Sequence, residues 1–301
     1  MATITLGPVI GRTSDTASRV LVEADADARA TCIARSGSHE TSRTLRLRAG
    51  RPRAFAFDDL RPGRRYRLRF DGATCRQRGR IRTLGADAEG MNVAAVSCNF
   101  TIRKGDVDLW DDLWTRYVEP AQVDLLLHCG DQVYGDAAFQ EAIGRLGVEG
   151  PSSRVRDVDP EVESAILESY RRLYRMTWRH PPTRRVLANV PSLAIWDDHE
   201  IRDDWGSRPE DRDPRSASRT VGRLARRVYR EYQRQLWDDV DPDADPDDGL
   251  EGHVHRFGRF GFLFVDQRGG RSFGRDEALP YLSSAQWRAI EEALRPGGAL
   301  G

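Results

Sequence analysis

Val123-Asp124-Leu125-Leu126-Leu127-His128-Cys129-Gly130-Asp131-Gln132-Val133-Tyr134-Gly135-Asp136 is the stretch whose reading decides the fold. Its apolar run is short and stops abruptly at Gly-Asp, the pattern of a buried parallel-type strand that delivers a carboxylate into a crevice. Gly130 permits a sharp turn and a close backbone approach, while Asp131 and Tyr134 supply hard oxygen donors within one turn of chain. A metal site at the carboxyl end of a strand is the first candidate.

Upstream, residues 92–97 form a second buried-strand pattern ending at Cys98, followed by Leu109, Trp110, Leu113, Trp114, Tyr117 and Val118 at helical spacing, with Pro120 beyond. Strand, helix, strand is a βαβ unit whose crossover makes the strands parallel, so Cys98 and Asp131 are expected to face one crevice. Downstream, the Gly-, Pro- and charge-rich residues 137–160 read as a loop. Ile166, Leu167, Tyr170, Leu173 and Tyr174 mark an amphipathic helix stopped at Pro181-Pro182. A third strand over 192–196 breaks into Asp197-Asp198-His199-Glu200-Ile201-Arg202-Asp203-Asp204, and a fourth over 260–265 ends in Asp266-Gln267-Arg268. Ser283-Ser284-Ala285-Gln286 opens a last helix in the capping-box pattern.

Residues 1 to about 84 differ in period. Val20-Val22, Leu45-Leu47, Phe55-Phe57 and Tyr66-Leu68-Phe70 belong to short alternating runs, roughly seven in all, which predict a small antiparallel β-sandwich with half-buried strands. Leu60-Arg61-Pro62-Gly63-Arg64-Arg65-Tyr66 resembles the tyrosine corner of fibronectin type III modules. Composition and period change near residue 88, dividing the chain into a fibronectin-like β-sandwich over 1–88 and an α/β unit over 89–301. The first carries no cluster of catalytic residue types and reads as structural.

Lys+Arg and Asp+Glu are balanced at 47 each in 301 residues, so no global field draws the chain to nucleic acid, which is expected only as a phosphodiester substrate. Lys104 is the only lysine. No charged leader precedes an apolar core and no run approaches membrane-spanning length, so a cytoplasmic protein with no membrane partner is expected. Cys32, Cys75, Cys98 and Cys129 form no CxxC pair; reduced, buried thiols are preferred to a Cys32–Cys75 disulfide. A helix over 220–237 carries Arg223, Arg226, Arg227, Arg230 and Arg234 opposite its apolar face, read as a solvated face or, alternatively, a polyanion-docking surface. The acidic run 238–249 fails the EF-hand template and reads as an exposed loop.

Acids clustered at four strand ends repel and raise one another's pKa unless a cation compensates them. Carboxylate and phenolate oxygens suit hard cations, whereas Cys98 favours a softer or more strongly acidic one, so a transition metal beside a hard divalent ion fits the donor set. Phosphoester hydrolysis is the reaction such a site serves best. His199 is placed to protonate the leaving alkoxide or hold a phosphate oxygen, and Arg268 to clamp a phosphate or to pair with Asp266.

Ser97-Cys98, Gly130-Asp131-Gln132-Val133-Tyr134, Trp196-Asp197-Asp198-His199-Glu200 and Val265-Asp266-Gln267-Arg268, in this order, resemble the PhoD-type alkaline phosphatases, a branch of the calcineurin-like metallophosphoesterases. Leu6-Gly7-Pro8-Val9-Ile10-Gly11 is similar to the start of that family's leading β-domain. The resemblance implies an α/β/β/α metallophosphoesterase sandwich hydrolysing small phosphomonoesters or phosphodiesters. It implies iron on Cys98, Asp131 and Tyr134, with Asp131 bridging to calcium or another divalent ion such as Mn, Mg or Zn. That second ion is held from 197–204, with Asp198 preferred to Asp203. It also implies a late Gly-Asp-Val-His motif, which does not follow residue 266, so the catalytic domain is expected to be truncated at its C-terminus. Gly252-His253-Val254-His255 mimics the superfamily's Gly-His-x-His but precedes the Asp266 strand; residues leading into an exposed strand are its plainer reading. The alternative to an enzyme is a truncated or degenerate family member acting as a non-enzymatic binding or scaffold protein.

Overall fold

The computed structural model describes residues 1–100, 108–241, 244, 249–271 and 281–301. The amino-terminal stretch forms β1 (Ala2–Thr13), β2 (Ser18–Ala24), β3 (Ala28–Ser36), β4 (His39–Leu47), β5 (Arg53–Phe57), β6 (Arg65–Asp71), β7 (Ala73–Cys75) and β8 (Arg80–Arg82). They make two four-stranded sheets, ordered β5-β2-β1-β7 and β4-β3-β6-β8. Alternation sets the second sheet: Ala30, Cys32 and Ala34 of β3 are buried between exposed Arg29 and Arg35. Val20, Val22, Phe55, Phe57, Tyr66 and Ile81 meet in one core. The Tyr66 hydroxyl accepts the Arg61 N–H at 2.7 Å, closing the corner that begins at Leu60. β1 and β2 are not half-buried as expected, because Leu6, Val9 and Leu21 on their other side join the larger core of the chain with Trp178, Leu187 and Leu193.

The remainder comprises β9 (Val93–Val96), α1 (Leu109–Leu113), β10 (Leu125–Cys129), α2 (Asp136–Arg145), α3 (Pro160–Trp178), α4 (Pro181–Leu187), β11 (Ser192–Ile195), α5 (Ala217–Tyr232), β12 (His253–Phe257), β13 (Phe260–Phe264) and α6 (Ser284–Leu294). α1 runs into a π-helical turn over Trp114–Val118. β10 pairs in parallel with β9 on one side and β11 on the other, Leu127 standing opposite Ala95 and Leu193. The three carboxyl ends therefore lie on one edge. The chain is mixed α/β with several sheets. No described helix is long and apolar enough to cross a membrane.

Several expectations are corrected. The loop expected over 137–160 contains α2, whose Ala138, Phe139, Ala142 and Ile143 form a buried face. The fourth strand is not part of the parallel sheet: β13 pairs antiparallel with β12 in a hairpin. His253 and His255 lie in β12 itself and are buried, His253 packing 3.9 Å from the Trp237 ring and 4.3 Å from Phe264. Burial lowers both, to about 2 and about 4, and among the described residues neither Nε2 has a partner. Four of the five arginines read as one face, Arg226, Arg227 and Arg230 of α5 and Arg234 just beyond it, are paired with acids of the chain and not left to solvent. Arg226, Arg230 and Arg234 converge at 2.6 to 2.7 Å on Glu251, which is fully buried, and Arg227 pairs with Glu163. A cation withdrawn from water needs such a partner.

Ser283 caps α6, but Gln286 does not complete a capping box; its amide bonds both backbone groups of Asp266, at 2.8 and 2.7 Å. All four cysteines are free, Cys32 buried and Cys75 half-buried, with burial pushing the Cys75 thiol up to about 11. Cys98 and Cys129 are exposed instead of buried, since each stands where a parallel strand gives out. Half of the acidic run, residues 242–243 and 245–248, lies outside the described residues.

Candidate active site

The turns after β9 and β10 each hold their functional residue in an unusual backbone conformation. Cys98 and Asp131 both have φ of +54°, a region that non-glycine residues occupy at a cost of order 1–3 kcal/mol and that clusters at functional sites. Gly130 before Asp131 has φ +93°, and a Cβ there would lie 2.4 Å from the Asp197 Cβ. Only glycine lets the β10 and β11 ends come this close. The Asn99 N–H donates to the Asp131 carbonyl at 2.8 Å, tying the β9 end to the same point.

Behind the turns lies buried Glu200. Its carboxylate accepts the backbone N–H groups of Asp131 (3.1 Å), Gln132 (2.8 Å) and Asp197 (2.7 Å) and the Gln233 amide (3.0 Å). One side chain thus fixes both acid-bearing turns. Burial pushes its pKa up to about 7.

Asp131, Asp197 and Asp198 bring carboxylate oxygens within 4.8 Å of one another, and Asp198, His199 and Asp203 form a second such group. Burial raises the Asp131 pKa, and the neighbouring Asp197 and Asp198 raise it further. The Cys98 Sγ is 3.4 Å from Asp131 Oδ2. Tyr134 is raised by burial and then by Asp131 and Cys98, and its ring packs between Phe100 and His199 at 4.7 and 4.3 Å. Thiol, phenol and three converging carboxylates are the donors a mixed transition-metal and hard-cation site uses.

His199 Nδ1 is 2.9 Å from Asp136 Oδ2, and its Nε2 is 3.7 Å from exposed Asp203. Burial opposes the imidazolium, but the Asp136 bond, with Asp131 and Asp198 nearby, outweighs it and raises the pKa. Asp136, the first residue of α2, also accepts the Asp203 N–H at 2.8 Å. Arg268 does not pair with Asp266. Its Nε reaches Asp197 at 2.5 Å and its Nη2 reaches Asp198 at 3.0 Å. Asp266 is fully buried away from the crevice, accepting from Trp196 Nε1 and from the Glu251, Arg268 and Gly269 backbone N–H groups.

The structure thus gathers Cys98, Asp131, Tyr134, Asp198, His199 and Arg268 at one sheet edge. Sequence reading assigned no role to Asp136, Asp197 or Glu200. Asp136 carried a legible signal, lying five residues after Asp131 where a helix begins; the tie made by Glu200 depends on tertiary contacts and left no pattern.

A family model described as PhoD-like phosphatase matches residues 93–291. No curated protein matches. Among solved structures, one titled "Structure of PhoD" superposes with a TM-score of 0.63 at 15% identity, over 96% of this chain and 59% of that one. This chain therefore spans about three-fifths of the length of that structure, and the likeness shows a shared fold. A cycloisomaltooligosaccharide glucanotransferase from Paenibacillus sp. matches at a TM-score of 0.26 with 11% identity, over 65% of this chain and 28% of that one, and carries no argument.

Proposed function

This chain belongs to the PhoD-like phosphatase family, and from that membership and its acid-rich sheet edge we propose that it is a metal-dependent phosphoesterase acting on small phosphomonoesters or phosphodiesters. The observation that carries the reading is the convergence of Asp131, Asp197 and Asp198 beside Cys98 and Tyr134. Repelling carboxylates at this spacing, with Arg268 between two of them, fit a polyvalent cation. Cys98, Asp131 and Tyr134 would hold iron, and Asp131 with Asp198 a calcium or other divalent ion such as Mn, Mg or Zn. The chemistry such ions supply is Lewis-acid polarisation of phosphoryl oxygens and neutralisation of their charge.

The chain's own groups divide the remaining work. His199 Nδ1 is held by Asp136, which leaves Nε2 to carry the proton delivered to the leaving alkoxide. Its raised pKa, the work of Asp136 and the nearby Asp131 and Asp198, favours the protonated form. Arg268 balances Asp197 and Asp198 through Nε and Nη2. Its Nη1, with only 3.4 Å contacts to the Trp205 carbonyl and Ser207 Oγ, is the donor available to a phosphate oxygen. Residues 1–88 are read as a fibronectin-like β-sandwich that positions a metallophosphoesterase-like unit over 89–301, a reading supported by the Tyr66–Arg61 corner and the parallel sheet.

Metal analysis of the purified chain together with hydrolysis of p-nitrophenyl phosphate and bis-p-nitrophenyl phosphate tests the proposal. Asp131→Asn should bind less metal and lose at least a hundredfold in rate; hydrolysis undiminished in that variant sinks the reading.

A further inference from the structure

The outer face of the sheet β4-β3-β6-β8 carries arginines in direct register. Arg35 of β3 stands opposite Arg67 of β6, which stands opposite Arg80 of β8, so three guanidinium-bearing residues form one row across three adjacent strands. Arg65 flanks the row, and Arg29 and Arg46 form a second like-charge pair further along β3 and β4. Like charges directly opposite on a sheet are destabilising. Among the described residues Arg65, Arg67 and Arg80 have no carboxylate within ion-pair distance, and Arg35 has only exposed Glu40 at 3.9 Å. A crevice of about 500 Å³ opens between Arg35, Arg65, Arg67 and Arg80.

We propose that this arginine row is a binding site for a linear polyanion with closely spaced phosphates. Strands lie about 4.8 Å apart, so the row presents three cations over roughly 10 Å, and Arg29 lies about 20 Å further along β3. That ladder matches a run of phosphates better than a single small anion. The face offers no exposed aromatic ring on which a base could stack, Tyr66 being fully buried, so single-stranded nucleic acid is disfavoured. It also offers no exposed apolar anchor for a lipid surface, since Ile33, the aliphatic residue on this face, is buried. The bound phosphates supply the counter-charge that the sheet itself lacks.

Binding of long-chain inorganic polyphosphate to the full chain, titrated at several salt concentrations, tests the site without reference to hydrolysis. The triple variant Arg35→Gln, Arg67→Gln, Arg80→Gln should bind at least tenfold more weakly, with the dependence of log K on log salt shallower by about 2, near 0.7 per lost contact. Removing like charges from a register row should leave the melting temperature unchanged or raised, and the single variant Arg67→Gln should show an intermediate loss. A control triple of equal charge, Arg116→Gln, Arg145→Gln, Arg295→Gln, removes exposed arginines already paired on helices and should keep wild-type affinity. Equal loss in both triples, absence of polyphosphate binding at low salt, or tighter binding of oligothymidylate or of phosphatidylserine vesicles to the same row would each overturn the proposal.

Discussion

Acidifying the protein from pH 8 to pH 5 should weaken its fold through His128, and a His128→Phe variant should be spared that part of the loss. His128 lies on β10, buried completely, with Nδ1 2.7 Å from Gln132 Oε1. The Gln132 amide nitrogen is committed to the Gly130 carbonyl, so its oxygen faces the ring and His128 carries its proton on Nδ1. Nε2 is then a bare acceptor with no partner among the described residues, and a second proton there would create a buried cation with none of them to receive it. Burial therefore lowers the pKa from 6.5 to about 4, the Gln132 bond only partly opposing it. Because the folded value lies below the unfolded one, the stability is fully present above about 6.5 and is lost as pH falls toward 4. At pH 5 the unfolded chain has gained a proton that the native chain refuses over about 1.5 pH units, which costs about 2 kcal/mol. Urea denaturation of wild type and His128→Phe at the two pH values measures this as a difference of differences. The variant's loss of the Gln132 bond is a constant offset that cancels. If the two proteins lose equal stability between pH 8 and pH 5, the reasoning about His128 is refuted.

Three further outcomes follow from the same structure. Glu251→Gln should destabilise the chain by about 3–5 kcal/mol in urea denaturation, because Arg226, Arg230 and Arg234 then surround a neutral amide; a loss under 1 kcal/mol would show that they find other anions. Gly130→Ala should separate the β10 and β11 turns, since its Cβ meets Asp197 at 2.4 Å and its φ is +93°, and should lower metal stoichiometry together with at least about 2 kcal/mol of stability; retention of both would contradict the close approach. Asp136→Asn should reduce kcat by about 10–100-fold with little change in KM and should shift His199 toward the Nε2–H tautomer in ¹⁵N spectra at pH 9; an unaltered tautomer would remove Asp136 from the mechanism.

Local patterns carried most of the parallel sheet. The apolar run before Gly130, the helical spacing of Leu109 to Val118 and the Trp196-Asp197-Asp198-His199 break are short-range signals, and each placed a strand end at the crevice. Longer-range signals were lost. The run 260–265 has the composition of a buried strand, but whether such a strand joins the parallel sheet or folds back on β12 depends on a partner that no periodicity encodes. The arginines of α5 read as solvated because their counter-ion, Glu251, lies 17 to 25 residues downstream in an unpatterned segment. Gly-, Pro- and charge-rich composition hid α2, because its buried Ala138, Phe139, Ala142 and Ile143 are few and two of them are alanines.

The same accounting of charges separates the site from the rest of the molecule. Elsewhere, several buried acids are compensated by cations of the chain, Glu231 by Arg171 and Arg51, Asp211 by Arg202, and Glu251 by its arginines, while Asp266 is held by neutral N–H donors. At the sheet edge, Asp131, Asp136, Asp197, Asp198 and Asp203 share, among the described residues, one guanidinium and one imidazole, Arg268 and His199. Among the described residues the acids of this edge outnumber the cations, which supports the reading that an ion from solution completes the charge. On that reading a divalent or trivalent ion would deliver the charge at one point, where three carboxylates already converge. The left-handed backbone at Cys98 and Asp131 fits this account, because Glu200 accepts the Asp131 N–H and the Asn99 N–H ties the two turns together. Preorganisation of that kind would lower the reorganisation needed on binding, so selectivity among ions would rest on donor type, with the Cys98 thiol and Tyr134 phenol setting the site apart from an all-carboxylate one.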